Sequence, residues 1–217
     1  MAIPARDCPL CPRLAEFRAA NRAAWPAWHN APVPSFGGLE ARLLVVGLAP
    51  GLRGANATGR PFTGDWAGDL LYATLLSFGF ARGDYGEHAG DGLDLVDCRI
   101  TNAVRCVPPE NKPLPVEQTA CRAFLAAELA AMPRLRVILA LGTVAHQSVL
   151  AALGLRRSAV PFGHGARHGL DHGLTLADSY HCSRYNTNTG RLTEAMFHQV
   201  FTGLRELLEQ PEAATAG

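Results

Sequence analysis

The chain has 217 residues, with 20 Lys and Arg against 19 Asp and Glu for a formal net charge of +1, and 48% of its residues are hydrophobic. This excludes a disordered or strongly basic chain, and the length suits one packed domain, expected over residues 1–210 with 211–217 as a frayed tail. No apolar run approaches the roughly 20 residues that span a bilayer, and the opening Met1–Asp7 reaches a cysteine too early for a signal peptide. The expectation is a soluble, cytoplasmic protein whose six cysteines are metal ligands or buried thiols rather than disulfides.

In chain order, residues 1–38 carry two cysteines and scattered prolines, with helical periodicity confined to Leu14–Ala24. Leu43–Gly47 is a continuous apolar run of the kind found in a strand buried on both faces. A loop rich in Gly and Asn spans 48–64, and Trp66 to Phe78 repeats at helical spacing before Gly79. Residues 81–97 read as surface loop and Arg99–Val107 as a strand. Pro108, Pro109 and Pro113 then break the chain, and Pro115 opens a helix to about Met132. Val137–Leu141 is a strand, Val144–Leu153 a helix, and a loop follows with His164 and His168. Leu174–Tyr180 is a fourth strand and Thr193–Leu208 an amphipathic helix. Strands alternating with helices predict an α/β fold, a doubly wound and mostly parallel sheet. Ligands bind such sheets beyond the carboxyl ends of the strands, so the loops from Leu48, Pro108, Gly142 and His181 are expected on one rim.

Four cysteines form the first candidate site. Cys8 and Cys11 are spaced to share a metal, and Cys106 and Cys121 can complete four thiolates, a set suited to tetrahedral zinc or an iron–sulfur cluster. Cys98 reads as core packing. The second candidate site is polar. Gly47–Gly51 lacks the Gly-Lys-Ser/Thr of a triphosphate loop. In Thr58–Asp65, Phe62 lies between glycines, where an aromatic gains little core contact and can serve as a stacking platform. Asp65 directly precedes a helix, as an N-cap does, at a place where a carboxylate can also hold a water. Asn102 is an amide in an apolar strand, able to read a nucleobase edge. Residues 180–191 mix arginines, asparagines and hydroxyls with no acid before Glu194, which suits phosphate contacts. His181, at a strand end, can donate to an oxygen that gains negative charge. Lysine occurs once, at Lys112, so the positive charge is almost all guanidinium.

Taken together, GLAPG at 47–51, TGRPFTGD at 58–65, ITNAVRCVPPENKP at 100–113 and SYHCSRYNTNTGRLT at 179–193 resemble the uracil-DNA glycosylase superfamily, in its family 5 branch, over nearly the whole chain. The resemblance implies a central four-stranded parallel sheet flanked by helices and a monofunctional glycosylase. Such an enzyme hydrolyses the N-glycosidic bond of uracil, and of hypoxanthine or xanthine, in DNA at the start of base excision repair. It implies a [4Fe-4S] cluster on Cys8, Cys11, Cys106 and Cys121, with zinc the lesser alternative. Residue by residue, Ala49 stands where better-known branches carry a carboxylate or amide, and Asp65 is the nearest group to take over water activation. Phe62 matches the aromatic that stacks on the flipped base, Asn102 the amide on its edge, and Asn111 a position of the family 5 site. His181 matches the histidine of a His-Pro-Ser motif whose proline is here Cys182. Catalysis is thus expected from Asp65, His181 and Asn111, base binding from Gly47, Ala49, Phe62 and Asn102, and DNA contact from Ser183, Arg184, Tyr185 and Asn186. The expected partner is DNA containing deaminated bases, the expected state a monomer, with no membrane contact. The rival expectation is a non-catalytic iron–sulfur or zinc protein that binds DNA.

Overall fold

A computed structural model describes residues 1–158 and 160–210, so the expected tail at 211–217 lies outside the described residues. The chain runs α1 (Pro12–Ala24), β1 (Leu43–Gly47), α2 (Ala55–Thr58), α3 (Trp66–Ser77), β2 (Ala81–Arg82), β3 (Asp94–Leu95), β4 (Cys98–Asn102), α4 (Pro115–Ala130), β5 (Val137–Leu141), α5 (Thr143–Ala152), β6 (Arg167–Gly169), β7 (Thr175–Ser179), α6 (Arg184–Asn188) and α7 (Glu194–Glu209). The main sheet has the order β4-β1-β5-β7-β6. Its first four strands are parallel, and β6 adds antiparallel to β7 through Arg167–Ala177, His168–Leu176 and Gly169–Thr175.

Alternation along the central strands explains their unbroken apolar sequence. Leu43 and Val45 of β1, with Val137, Leu139 and Leu141 of β5, face a cluster with Leu71 and Leu75 of α3 and Phe197, Phe201 and Leu204 of α7. Leu44, Val46, Ile138 and Ala140 point the other way, against Leu125 of α4 and Val149 and Leu150 of α5. Both faces are covered, so each residue of β1 and β5 is buried. Full burial of a Leu or Phe side chain contributes about 1.5–3 kcal/mol, which makes these two clusters the main source of cohesion.

The structure corrects three expectations about strands, and it places the short helices α2 and α6 within segments read as loops. The sheet has a fifth strand, because a segment read as loop supplies Arg167–Gly169 to the free edge of β7. The strand expected over 99–107 stops at Asn102, where the Ala103 N–H closes the ladder on the Gly47 carbonyl and the following Val104 N–H to Leu48 carbonyl bond breaks its alternation. The loop over 81–97 contains a short hairpin, β2 with β3. At the opposite sheet edge, Phe36 bridges to Ile100 and shields β4. The N-terminal segment is fastened through Arg13, whose Nε and Nη2 donate to Glu117 at 2.8 Å each. No helix among the described residues is long and apolar enough to cross a membrane.

Candidate active site at the carboxyl rim of the sheet

A cavity of about 760 Å³ opens where β1, β4, β5 and β7 end, lined from all four loops that follow those strands. Ala49, Phe62, Asp65, Asn102, Asn111, His181, Ser183, Arg184 and Tyr185 all line it. Strand register explains part of this convergence, since Gly47 and Asn102 are paired as the last residues of β1 and β4.

Asp65 caps α3. Its Oδ1 accepts the N–H of Gly68 at 3.1 Å. The other oxygen, Oδ2, is cradled by glycines: a β-carbon at Gly51 would stand 2.8 Å from it, and one at Gly54 would collide with it. Burial raises the Asp65 pKa above the usual carboxylate range, against the backbone N–H groups that favour the charged form. Oδ1 is held by the cap, and Asp65 lines the cavity.

Phe62 corrects a sequence expectation. Its flanking glycines suggested an exposed loop ring, yet it is only 6% exposed and belongs to the core cluster under α3 and α7. Its φ of +53° is unusual for a side chain with a β-carbon. A network holds that turn in place: Arg60 Nε donates to Thr63 Oγ1 at 2.8 Å, Tyr72 Oη donates to the Pro61 carbonyl at 2.6 Å, and Tyr85 Oη donates to the Phe62 carbonyl at 3.3 Å. Behind it, Arg60 forms a two-pronged pair with Asp91 at 2.7 and 2.6 Å. The paired guanidinium holds the Asp91 carboxyl well below its ordinary range. Gly47 completes the seat, because a β-carbon there would stand 2.5 Å from the Phe62 ring. Gly47 therefore acts by close approach from beneath and does not line the cavity. Both Arg60 and Asp91 are buried. Asp91→Ala is expected to cost about 3–5 kcal/mol by stranding a buried guanidinium, read as a lowered urea midpoint with an unchanged slope. A loss under 1 kcal/mol would show that the pair does not anchor the turn.

His181 faces Phe62, with ring centroids 5.8 Å apart and planes inclined by 27°. Burial pushes its pKa down to about 4, so the imidazole is neutral at neutral pH. Two buried polar atoms have no protein partner here, His181 Nδ1 and Asn102 Oδ1, as expected where a ligand supplies the missing hydrogen bonds. The loop beyond His181 is tied to the start of α3. Cys182 is buried with its thiol directed to the Ala67 carbonyl at 3.4 Å, and Trp66 Nε1 donates to Thr187 Oγ1 at 2.8 Å. Arg184 and Tyr185 are exposed at the mouth, and Tyr185 is 72% exposed. Asn186 is turned inward, with Nδ2 donating to the His181 carbonyl at 2.8 Å, and lies outside the lining. Asn111 reaches the cavity from an exposed loop in which it and Glu110 both adopt φ of +55°.

Cys8, Cys11, Cys106 and Cys121 line a second, separate cavity between the N-terminal segment and α4. Burial raises the Cys11, Cys106 and Cys121 thiols above their ordinary pKa, opposed at Cys106 by Arg18 Nη1 at 3.6 Å and at Cys121 by the Arg105 N–H donating to Sγ at 3.4 Å. Among the described residues, no three Cys, His, Asp or Glu side chains converge closely enough to hold one metal ion.

Residues 34–205 match the model of the Uracil DNA glycosylase superfamily. The chain belongs to that superfamily. Among its relatives are type-5 uracil-DNA glycosylases of Thermus thermophilus, 47% identical over 92% of this chain and 93% of the relative, and of Mycobacterium bovis, 42% identical over 92% and 78%. A third, from Pyrobaculum aerophilum, is 39% identical over 86% of this chain and 83% of its own length. Sequence reading of this superfamily member did not single out Arg60, Asp91, Tyr72 or Tyr85, which form the seat of Phe62. The one hint was an arginine within the TGRPFTGD stretch at 58–65.

Proposed function

We propose that the rim cavity hydrolyses the N-glycosidic bond of uracil in DNA, and of other deaminated bases such as hypoxanthine and xanthine, as the first step of base excision repair. One observation carries this reading. A half-buried carboxylate, a neutral imidazole, an aromatic face and an unpartnered amide oxygen line the same basin. The kinship with type-5 enzymes agrees with it.

A base inside a duplex is out of reach, so the nucleotide turns out of the stack at a cost of a few kcal/mol. Its base lies on Phe62, its edge meets Asn102, and Asn111 closes over it from the flanking loop. Ser183, Arg184 and Tyr185 stand at the mouth, where the phosphodiester chain passes. As the bond stretches, positive charge grows on the sugar and negative charge on the base. Asp65 Oδ2 orients the attacking water and faces the sugar. His181 donates to an oxygen of the departing base, and as a neutral donor it gains strength as that oxygen becomes anionic. All these groups come from one chain, and we propose that it works as a monomer.

The four cysteines fit a [4Fe-4S] cluster as ligands. Four thiolates suit iron, as they also suit zinc, and the kinship with type-5 enzymes favours the cluster. The cluster would tie the N-terminal segment to α4 and supply no step of the hydrolysis. Purified protein is expected to be coloured, with several irons per chain, and Cys106→Ser to lose both. Colourless protein with one zinc per chain would overturn the assignment.

Incubation with uracil- or hypoxanthine-containing oligonucleotides followed by alkali tests the activity. Strand scission at the modified base is expected for both substrates. Binding of either without alkali-labile sites would favour the non-catalytic alternative, and scission at uracil alone would narrow the substrate range.

A further inference from the structure

His164 lies on the loop before β6, away from the lining of the rim cavity. The β5–β7 ladder ends at the Leu141–Ser179 pair, so Tyr180 is the first residue beyond it. The Tyr180 N–H goes to His164 Nδ1 at 3.2 Å. Ser179 Oγ is also 3.4 Å from that nitrogen, but its single hydrogen is directed to the Tyr180 carbonyl at 2.9 Å. His164 Nδ1 is therefore an acceptor whose donor is the N–H of Tyr180, the residue just before His181. The His164 ring also stacks on Tyr180, with centroids 4.9 Å apart and planes 14° from parallel, and the Arg191 guanidinium lies 4.6 Å from the same ring.

The other side of His181 is held by a side chain as well, since Asn186 Nδ2 donates to its carbonyl. His181 thus sits beyond the regular ladder, between the Tyr180 N–H held by His164 one residue before it and its own carbonyl held by Asn186. We infer that His164 is a positioning residue for the glycosidic cleavage, setting where the His181 imidazole enters the cavity through its bond to the Tyr180 peptide. This rests on the glycosylase reading for its kinetic consequence and on the hydrogen bonds alone for its structural one. Misplacing a catalytic group by about 1 Å can cost about 10²-fold in rate.

Two substitutions separate the acceptor from the ring. His164→Phe keeps an aromatic on Tyr180 and removes the acceptor. His164→Asn discards the ring, but its Oδ1 stands at the same bond distance from the backbone as the histidine Nδ1. In single-turnover uracil release, His164→Phe is expected to be slower by about 10²-fold with unchanged affinity for uracil-containing DNA, and His164→Asn to recover most of that loss. The imidazole signals of His181 in a long-range ¹H–¹⁵N spectrum, assigned by their disappearance in His181→Ala, are expected to move in the Phe variant and return in the Asn variant. An unchanged rate in the Phe variant, an Asn variant as slow as the Phe variant, or a loss confined to DNA affinity would overturn the inference. If the wild-type protein releases no uracil, the glycosylase reading fails by itself. The spectra then decide alone, with moved His181 signals supporting the positioning role and unmoved signals overturning it.

Discussion

Asp65→Asn is expected to lower single-turnover uracil release by about 10²–10⁴-fold, the range of general acid–base help, while binding uracil-containing DNA as well as the parent. The substitution is chosen to leave the fold intact. Asn caps a helix as well as Asp does, so the bond from Gly68 to Oδ1 survives. Burial disfavours the Asp65 carboxylate, and its pKa is raised in the folded state. Keeping that group ionised at neutral pH therefore works against folding, and removing the charge relieves the cost. The Asn variant is expected to melt at or above the parent temperature while losing turnover, the opposite of what a purely structural residue would do. The raised pKa also sets the acid side of the pH profile. Asp65 must be ionised to orient water, so activity falls as pH drops through its pKa, which lies above the ordinary value of about 3.9. Full activity in Asp65→Asn would remove this carboxylate from the chemistry.

The second large effect belongs to His181. His181→Ala is expected to slow base release by about 10²–10³-fold, as loss of one preorganised donor to a developing anion does. Because burial pushes its pKa down to about 4, the imidazole is neutral well below neutral pH. Its titration therefore places no limb near pH 6–7, where an ordinary histidine of pKa about 6.5 would. The effect is expected on the rate of cleavage with DNA affinity retained. Equal loss in rate and affinity would assign His181 to substrate holding.

How far the sequence disclosed these features depended on the range of the interactions that make them. Leu43–Gly47 and Val137–Leu141 were legible because burial on both faces leaves an uninterrupted apolar run, whatever the partners. Asp65 was legible as a cap because capping is local. By contrast, Arg167–Gly169 has no periodicity of its own and is a strand only because β7 offers an open edge. Phe62 was read as a loop ring with little core contact because Gly59 and Gly64 bracket it. Its burial depends on Arg60 reaching Asp91, 31 residues away, and on Gly47 leaving room beneath the ring. Asn186 carried the composition of a DNA-contact loop, yet α6 turns its amide back to His181. Cys182 ties its loop to the start of α3 by donating to the Ala67 carbonyl, a contact that no local pattern reveals.

The central claim is that this basin separates a base from its sugar by hydrolysis. Chromatographic measurement of free uracil, with enzyme in excess over a uracil-containing duplex, tests it most directly. One equivalent of free base beside an unbroken abasic strand is the predicted result; a strand that binds the protein and keeps all its uracil would contradict it.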